Sequence, residues 1–191
     1  MPDWILTIDK SVQQYVLSTH PEASIKFWES VTFLANTTTI LTLFILIFLA
    51  FAYKKNWLRA LELLIVSVGT EATVFILKII VDRDRPIGAL VNEMDPAFPS
   101  GHSAAAMMFF GFVFFALTDN IKNYWNRFGL RMLGVIFIVL IPISRVELNV
   151  HFASDIFAGI LIGGIWLYIG EKLFNFLMRA EPAVESVEKE P

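Results

Sequence analysis

The chain has 191 residues, of which 56% are hydrophobic and only 17% charged, and its mean hydropathy is +0.63. A soluble domain carries about 25% charged residues, so the composition points to one integral membrane unit and away from a soluble or nucleic-acid-binding domain. The net charge is −3, and the absence of cysteine removes disulfides, thiolate nucleophiles and cysteine metal sites together.

Residues 1–26 read as an amphipathic, interfacial N-terminal segment. Trp4, Ile5, Ile8, Val12, Tyr15 and Val16 recur at helical spacing among polar residues. The helix this predicts is too polar to span a bilayer and suited to lie on its surface. The segment lacks the basic start and apolar core of a signal peptide. A spanning helix needs about 20 mostly apolar residues. Candidates are 33–53 (with a start as early as 27), 57–81, 102–117, 130–144 and 153–174. The third and fourth are short and should extend into neighbouring polar residues. Between the second and third, 82–99 contains three prolines and no helical pattern, and reads as a loop. Residues 180–191 are acidic, contain Pro182 and Pro191, and read as a disordered tail. The expected architecture is all-α, a bundle of about five transmembrane helices over 27–179 preceded by the interfacial helix.

Lys and Arg in the connections set the orientation. Lys54, Lys55, Arg59, Lys122, Arg127, Arg131, Lys172, Arg179 and Lys189 fall on one side; Lys10, Lys26 and Arg83 fall on the other. The first side is therefore expected in the cytoplasm of a multi-pass protein of the cytoplasmic (inner) membrane.

Three clusters then share the periplasmic or extracellular side. In the first, Lys78 and Arg85 are seven residues apart, and Pro86 favours an extended backbone at Arg85. Arg binds phosphate through paired hydrogen bonds and Lys as a point charge; interfacial snorkelling is the plain alternative. Arg83 sits beside Asp82 and Asp84 and pairs with them on the simplest reading. The second cluster, Pro99-Ser100-Gly101-His102, opens an apolar helix whose free N–H groups make an anion site. By itself it is also an ordinary helix cap. His102 adds a group able to move a proton near neutral pH. In the third, Ser144-Arg145 precede His151 and Asp155, which share a face if the segment is helical. A carboxylate holding the imidazole Nδ1 proton leaves Nε2 as nucleophile or base; a structural pair or a metal half-site has the same spacing. Zinc needs three or four ligands, and Lys78, Arg85 and Arg145 around the histidines suit a phosphate dianion better than a metal.

These three clusters, Lys78-x6-Arg85-Pro86, Pro99-Ser100-Gly101-His102 and Ser144-Arg145-x5-His151-x3-Asp155, resemble in order and internal spacing the signature of the type 2 phosphatidic acid phosphatase (PAP2) superfamily. The membrane-length helices resemble its lipid phosphatase branch. The resemblance implies a metal-independent hydrolase without a cofactor, acting on a lipid phosphomonoester or diphosphate. Phosphatidylglycerophosphate, phosphatidic acid, undecaprenyl diphosphate and lipid A phosphate are the candidates, and Gly101 disfavours the undecaprenyl diphosphate phosphatases that carry Asp there. It also implies roles. His151 attacks phosphorus and forms a phosphohistidine, Asp155 orients it, and His102 protonates the leaving oxygen and then activates water. Lys78, Arg85, Arg145, Ser100 and Gly101 stabilise the phosphate oxygens, with Ser144 a further contact. Lipid-to-lipid phosphotransfer and, less favoured, lipid or anion transport are the alternatives. The expected partners are the lipid phosphate and the bilayer; oligomeric state is not encoded in any visible motif.

Weaker features remain. Glu71 lies mid-span and is either functional or a helix-packing residue. Glu147 and Asn149 either touch substrate or cap a turn. Glu93 and Asp95 either influence head-group preference or solvate a loop. Phe109, Phe110, Phe112, Phe114 and Phe115 cover too many helix faces for a cofactor box and read as core and lipid-facing.

Overall fold

The computed structural model describes residues 2–19, 22–118 and 121–187. Seven α-helices make up the described chain, with no strand among these residues. They are α1 (Asp3–Thr19), α2 (Glu22–Phe33), α3 (Thr37–Tyr53), α4 (Trp57–Val81), α5 (Gly101–Gly111), α6 (Tyr124–Glu147) and α7 (Ala153–Val187). A π-helical turn, Phe112–Ala116, prolongs α5. The starts follow the local sequence. Asn36, Asn56, Ser100 and Asn123 each cap a helix by accepting the N–H three residues on, from Thr39, Arg59, Ser103 and Asn126. α4 ends at Asp82, whose backbone is left-handed at φ 43° and whose N–H returns to the Lys78 carbonyl.

Four stretches are long and apolar enough to cross a membrane: Ser24–Tyr53, Trp57–Val81, Tyr124–Glu147 and Ala153–Arg179. The expected fifth, at 102–117, is the shorter apolar helix Gly101–Ala116. It sits inside the bundle, packed against α4, α6 and α7. Ala104, Ala106, Met108, Phe109 and Phe110 of this helix are buried. The lipid-facing belt falls on its neighbours, where Leu41, Leu46, Leu49, Phe75, Ile76, Phe157 and Leu161 are exposed. The sixth helix is longer than the predicted 130–144 at both ends, reaching into the polar flanks. α7 also runs on to Val187, where a disordered tail was expected from residue 180. The Ala and Glu residues of that stretch are good helix formers. Residues 188–191 of the expected tail lie outside the described residues.

The α5–α7 contact positions the site. A side chain on Gly159 would overlap the Ser100 carbonyl, and one on Gly163 the Ala104 carbonyl. The two glycines let α7 ride directly on the backbone of α5. There the Ser100 N–H donates to the Asp155 carbonyl at 3.0 Å. Gly159→Ala should therefore force the helices apart, at a cost of about 1–3 kcal/mol. A lower thermal unfolding midpoint in detergent is the expected result.

Candidate active site

All three clusters meet at one end of the bundle: the C-terminus of α4, the N-terminus of α5, the C-terminus of α6 and the N-terminus of α7. The intervening loops are pinned across that end. Leu90 N–H donates to the Leu148 carbonyl at 3.0 Å, and the Asn149 amide to the Ile87 carbonyl at 2.9 Å. Asn149 is buried with φ 51°, which makes it a turn residue. The turn after α6 folds back on itself. The Arg145 carbonyl accepts the N–H groups of Val150 and His151, and this return brings the imidazole over the bundle end.

His151 and Asp155 do not lie on one helix. His151 belongs to the turn and Asp155 to the first turn of α7. Asp155 Oδ2 accepts the Phe152 N–H at 2.9 Å and stands 3.6 Å from His151 Nδ1. That is too long for a hydrogen bond, and Nδ1 has no other partner among the described residues. Arg85 Nη1 lies 3.3 Å from His151 Nε2. A guanidinium only donates, so Nε2 presents its lone pair and the ring proton sits on Nδ1, toward Asp155. This is the tautomer a nucleophilic Nε2 requires. Burial holds the imidazole below its ordinary range, Asp155 pulls the other way, and the charges of Arg85 and Arg145 add to the lowering.

The cations are already engaged. Arg85 donates to the Asp95 carbonyl, the Asp95 carboxylate and the Val150 carbonyl, each at 2.8 Å. Lys78 pairs with Asp95 at 2.7 Å and donates to the Pro96 carbonyl. Arg145, 2% exposed, donates to Thr32 at 2.9 Å and to Glu93. Burial would raise the Asp95 carboxyl, but the hydrogen bonds and charges of Lys78 and Arg85 prevail and bring it down to about 2. Glu93 and Asp95 thus occupy the donors that a phosphate would use.

Lys78, Arg85, Gly101, His102 and His151 line one cavity of about 900 Å³, together with Glu71, Glu93 and Asp95. A Cβ on Gly101 would meet only Val74, at an ordinary 3.8 Å. Packing therefore does not demand glycine there. Arg145 is not on the cavity wall but lies behind Glu93. Ser100 is fully buried and spends its hydroxyl as the α5 cap, accepting from Ser103. Ser144 is also fully buried, and its hydroxyl donates to the Ile141 carbonyl at 2.6 Å, within α6. The sequence grouped it with the phosphate contacts, but its side chain faces its own helix. Ser144→Ala should leave kcat/KM within about threefold of the parent and cost only the roughly 1 kcal/mol of one neutral hydrogen bond; steady-state kinetics with a melting curve reads both.

Arg83 does not use its sequence neighbours Asp82 and Asp84 as partners. It reaches instead to Asp155, at 2.5 Å, and to Asp9 of α1, at 2.7 Å. No short-range pattern could reveal pairs 72 and 74 residues apart.

An all-helical membrane bundle whose end gathers two histidines and a cation cluster defines a multi-pass membrane phosphatase. The PAP2 superfamily model matches residues 56–179. The chain is 32% identical to phosphatidylglycerophosphatase B of Bacillus subtilis (strain 168) over 144 residues, 73% of this chain and 70% of that one. Its fold matches the crystal structure of the transmembrane PAP2 type phosphatidylglycerolphosphate phosphatase from Bacillus subtilis, with TM-score 0.81 and 24% identity over 90% of this chain and 87% of the other. LpxE of Aquifex aeolicus follows, with TM-score 0.68 and 20% identity over 85% and 93%. The chain belongs to the PAP2 superfamily.

Proposed function

We propose that the protein hydrolyses a lipid phosphomonoester, phosphatidylglycerophosphate first among the candidates, through a metal-independent phosphohistidine route at the outer face of the cytoplasmic membrane. The cavity carries this reading. Its charged end holds Lys78, Arg85, His102 and His151, and the rest descends along Thr37, Leu41 and Phe44 of α3 and Leu64, Val68 and Phe75 of α4. Leu64 and Lys78, both on the wall, stand roughly 20 Å apart along α4 at 1.5 Å per residue. That depth suits an acyl chain hanging from a phosphate. The 32% identity to a phosphatidylglycerophosphatase supports the choice of head group, and the Lys and Arg asymmetry supports the outer placement.

Phosphate oxygens replace the carboxylates of Glu93 and Asp95 on the cations. Arg85 then transfers its donor from His151 Nε2 to a phosphate oxygen, which frees the lone pair. Nε2 attacks phosphorus, the bond to the lipid oxygen breaks, and His102, which takes up a proton as the phosphate dianion binds beside it, gives that proton to the oxygen as it leaves. Asp155 stabilises the imidazolium. His102 next takes a proton from water, which attacks the phosphohistidine and releases phosphate. The cation cluster stabilises charge on the equatorial oxygens in both steps.

The test is phosphate release in detergent with EDTA from phosphatidylglycerophosphate, phosphatidic acid, a lipid diphosphate and water-soluble glycerol phosphate. Release should survive EDTA and favour the lipid over glycerol phosphate by at least about 100-fold in kcat/KM. A few buried methylenes at roughly 0.8 kcal/mol each suffice for that. Equal turnover of the soluble ester would sink the lipid assignment, and loss of activity in EDTA would sink the metal-free route.

A further inference from the structure

Arg83 lies between two buried carboxylates contributed by opposite ends of the chain. Its Nη1 donates to Asp155 Oδ1 at 2.5 Å and to the Ser154 hydroxyl at 2.7 Å; its Nη2 donates to Asp9 Oδ2 at 2.7 Å. Asp9 closes the circuit. It accepts the Ser154 N–H at 2.9 Å and the Ser154 hydroxyl at 2.6 Å. Asp9 is 2% exposed and Asp155 fully buried, and the guanidinium lies over the Phe152 ring at 4.1 Å. Burying a carboxylate is costly unless it is paired and hydrogen-bonded. Among the described residues, every partner that compensates Asp9 also touches Asp155 or adjoins it in sequence. α1, which supplies Asp9, lies outside the residues 56–179 matched by the family model.

This arrangement has a consequence for the nucleophile. Arg83 takes Oδ1 of Asp155, so Oδ2 is the oxygen left to face His151 Nδ1. Asp9 holds Arg83 from the other side and anchors Ser154 in the first turn of α7. Without Asp9, the whole charge of Arg83 bears on Asp155, and its position is set from one side only. We propose that Asp9 is a positioning residue for phosphoryl transfer, contributed by the N-terminal helix, which fixes Asp155 through Arg83 and Ser154 and so aims His151. The inference rests on the reading of His151 as nucleophile with Asp155 behind it.

The experiment is a double-mutant cycle on the full-length protein in detergent, reading kcat and KM for the best lipid phosphate. Asp9→Asn should lower kcat by up to about 100-fold, the size of effect expected from a small misplacement of a reacting group, with KM within about twofold. In an Asp155→Asn background the same change should have less than a threefold effect, because its target is already disabled. Ser154→Ala keeps the backbone contact and removes only the bridging hydroxyl, so it serves where Asp9→Asn folds poorly. It should show a smaller loss of kcat that likewise disappears in the Asp155→Asn background. Equal losses in both backgrounds would reduce Asp9 to a structural residue and overturn the proposal. His151→Ala is run alongside: retained activity there would remove the nucleophile reading itself, whereas an inactive His151→Ala with an additive cycle would overturn the positioning role alone.

Discussion

Substituting His151 by Ala should lower kcat by a factor on the order of 10⁴ or more, the scale of losing a covalent nucleophile. No neighbour can substitute for it. His102 is the other histidine on the cavity wall, and the proposed mechanism employs it on the leaving oxygen and the water. His102→Ala should lose less, on the order of 10²–10⁴, the range of a general acid–base contribution. It should also hold more of the enzyme as phosphohistidine when a labelled lipid phosphate is supplied and the reaction is quenched in base. His151→Ala should trap no label at all. The pH dependence follows from the imidazole's surroundings. Attack needs neutral Nε2, and burial with Arg85 and Arg145 lowers the His151 pKa below its ordinary 6.5. The neutral form therefore persists as pH falls, and the acid limb of kcat/KM should lie below pH 6.5. Asp155→Asn removes the influence that raises the pKa, so it should move that limb further down while depressing the plateau. An acid limb above pH 7, or label retained by His151→Ala, would contradict the assignment.

Much of this arrangement was legible before the fold was known, and the reasons differ from residue to residue. Helices α3, α4, α6 and α7 were readable because a spanning segment must be apolar along its whole length. α5 was readable in position but short, since it sits among other helices and has no bilayer to cross unaided. The His151–Asp155 pair was found through the period of a helix, yet the two residues meet across a turn capped by Asp155 itself. Spacing placed the two residues side by side, but the shared helix face it implied is absent. Arg83 and Asp9 were not legible at all. Local charge balance in Asp82-Arg83-Asp84 offers a sufficient explanation of Arg83, and only the folded chain shows both neighbours bypassed for Asp9 and Asp155. Glu93 and Asp95 were seen as possible head-group contacts, but their hold on the cations depends on how the loop folds back. Ser144 belongs to the signature in sequence but turns its hydroxyl into α6.

Arg85→Lys retains the charge, so it separates the contribution of charge from that of shape. Arg85 is 13% exposed and spreads its donors over three directions: the Val150 carbonyl, the Asp95 carbonyl and carboxylate, and His151 Nε2. An ammonium reaches one or two of these from a single point. Each bond from a charged donor contributes about 1.5–3 kcal/mol. The bond to the Asp95 carboxylate counts for less, because that carboxylate is half exposed and screened by water. Losing the fork that would grip two phosphate oxygens then costs roughly 3–4 kcal/mol of transition-state stabilisation. The expected fall in kcat/KM is about 10²–10³-fold, together with a lower unfolding midpoint from the lost bonds to Val150 and Asp95. Arg145→Lys should show the larger loss of stability. That guanidinium is buried and bonded to Thr32 and Glu93, and shortening its reach leaves Glu93 with only the longer contact to Arg85, at 3.7 Å. The unfolding midpoint should fall, because a lysine ammonium cannot keep the hydrogen bonds to both Thr32 and Glu93. Kinetics and thermal unfolding measured on both variants test the division directly. Arg85→Lys within tenfold of the parent would mean that positive charge alone suffices at this position, and that the guanidinium contact to His151 Nε2 has no part in freeing the nucleophile.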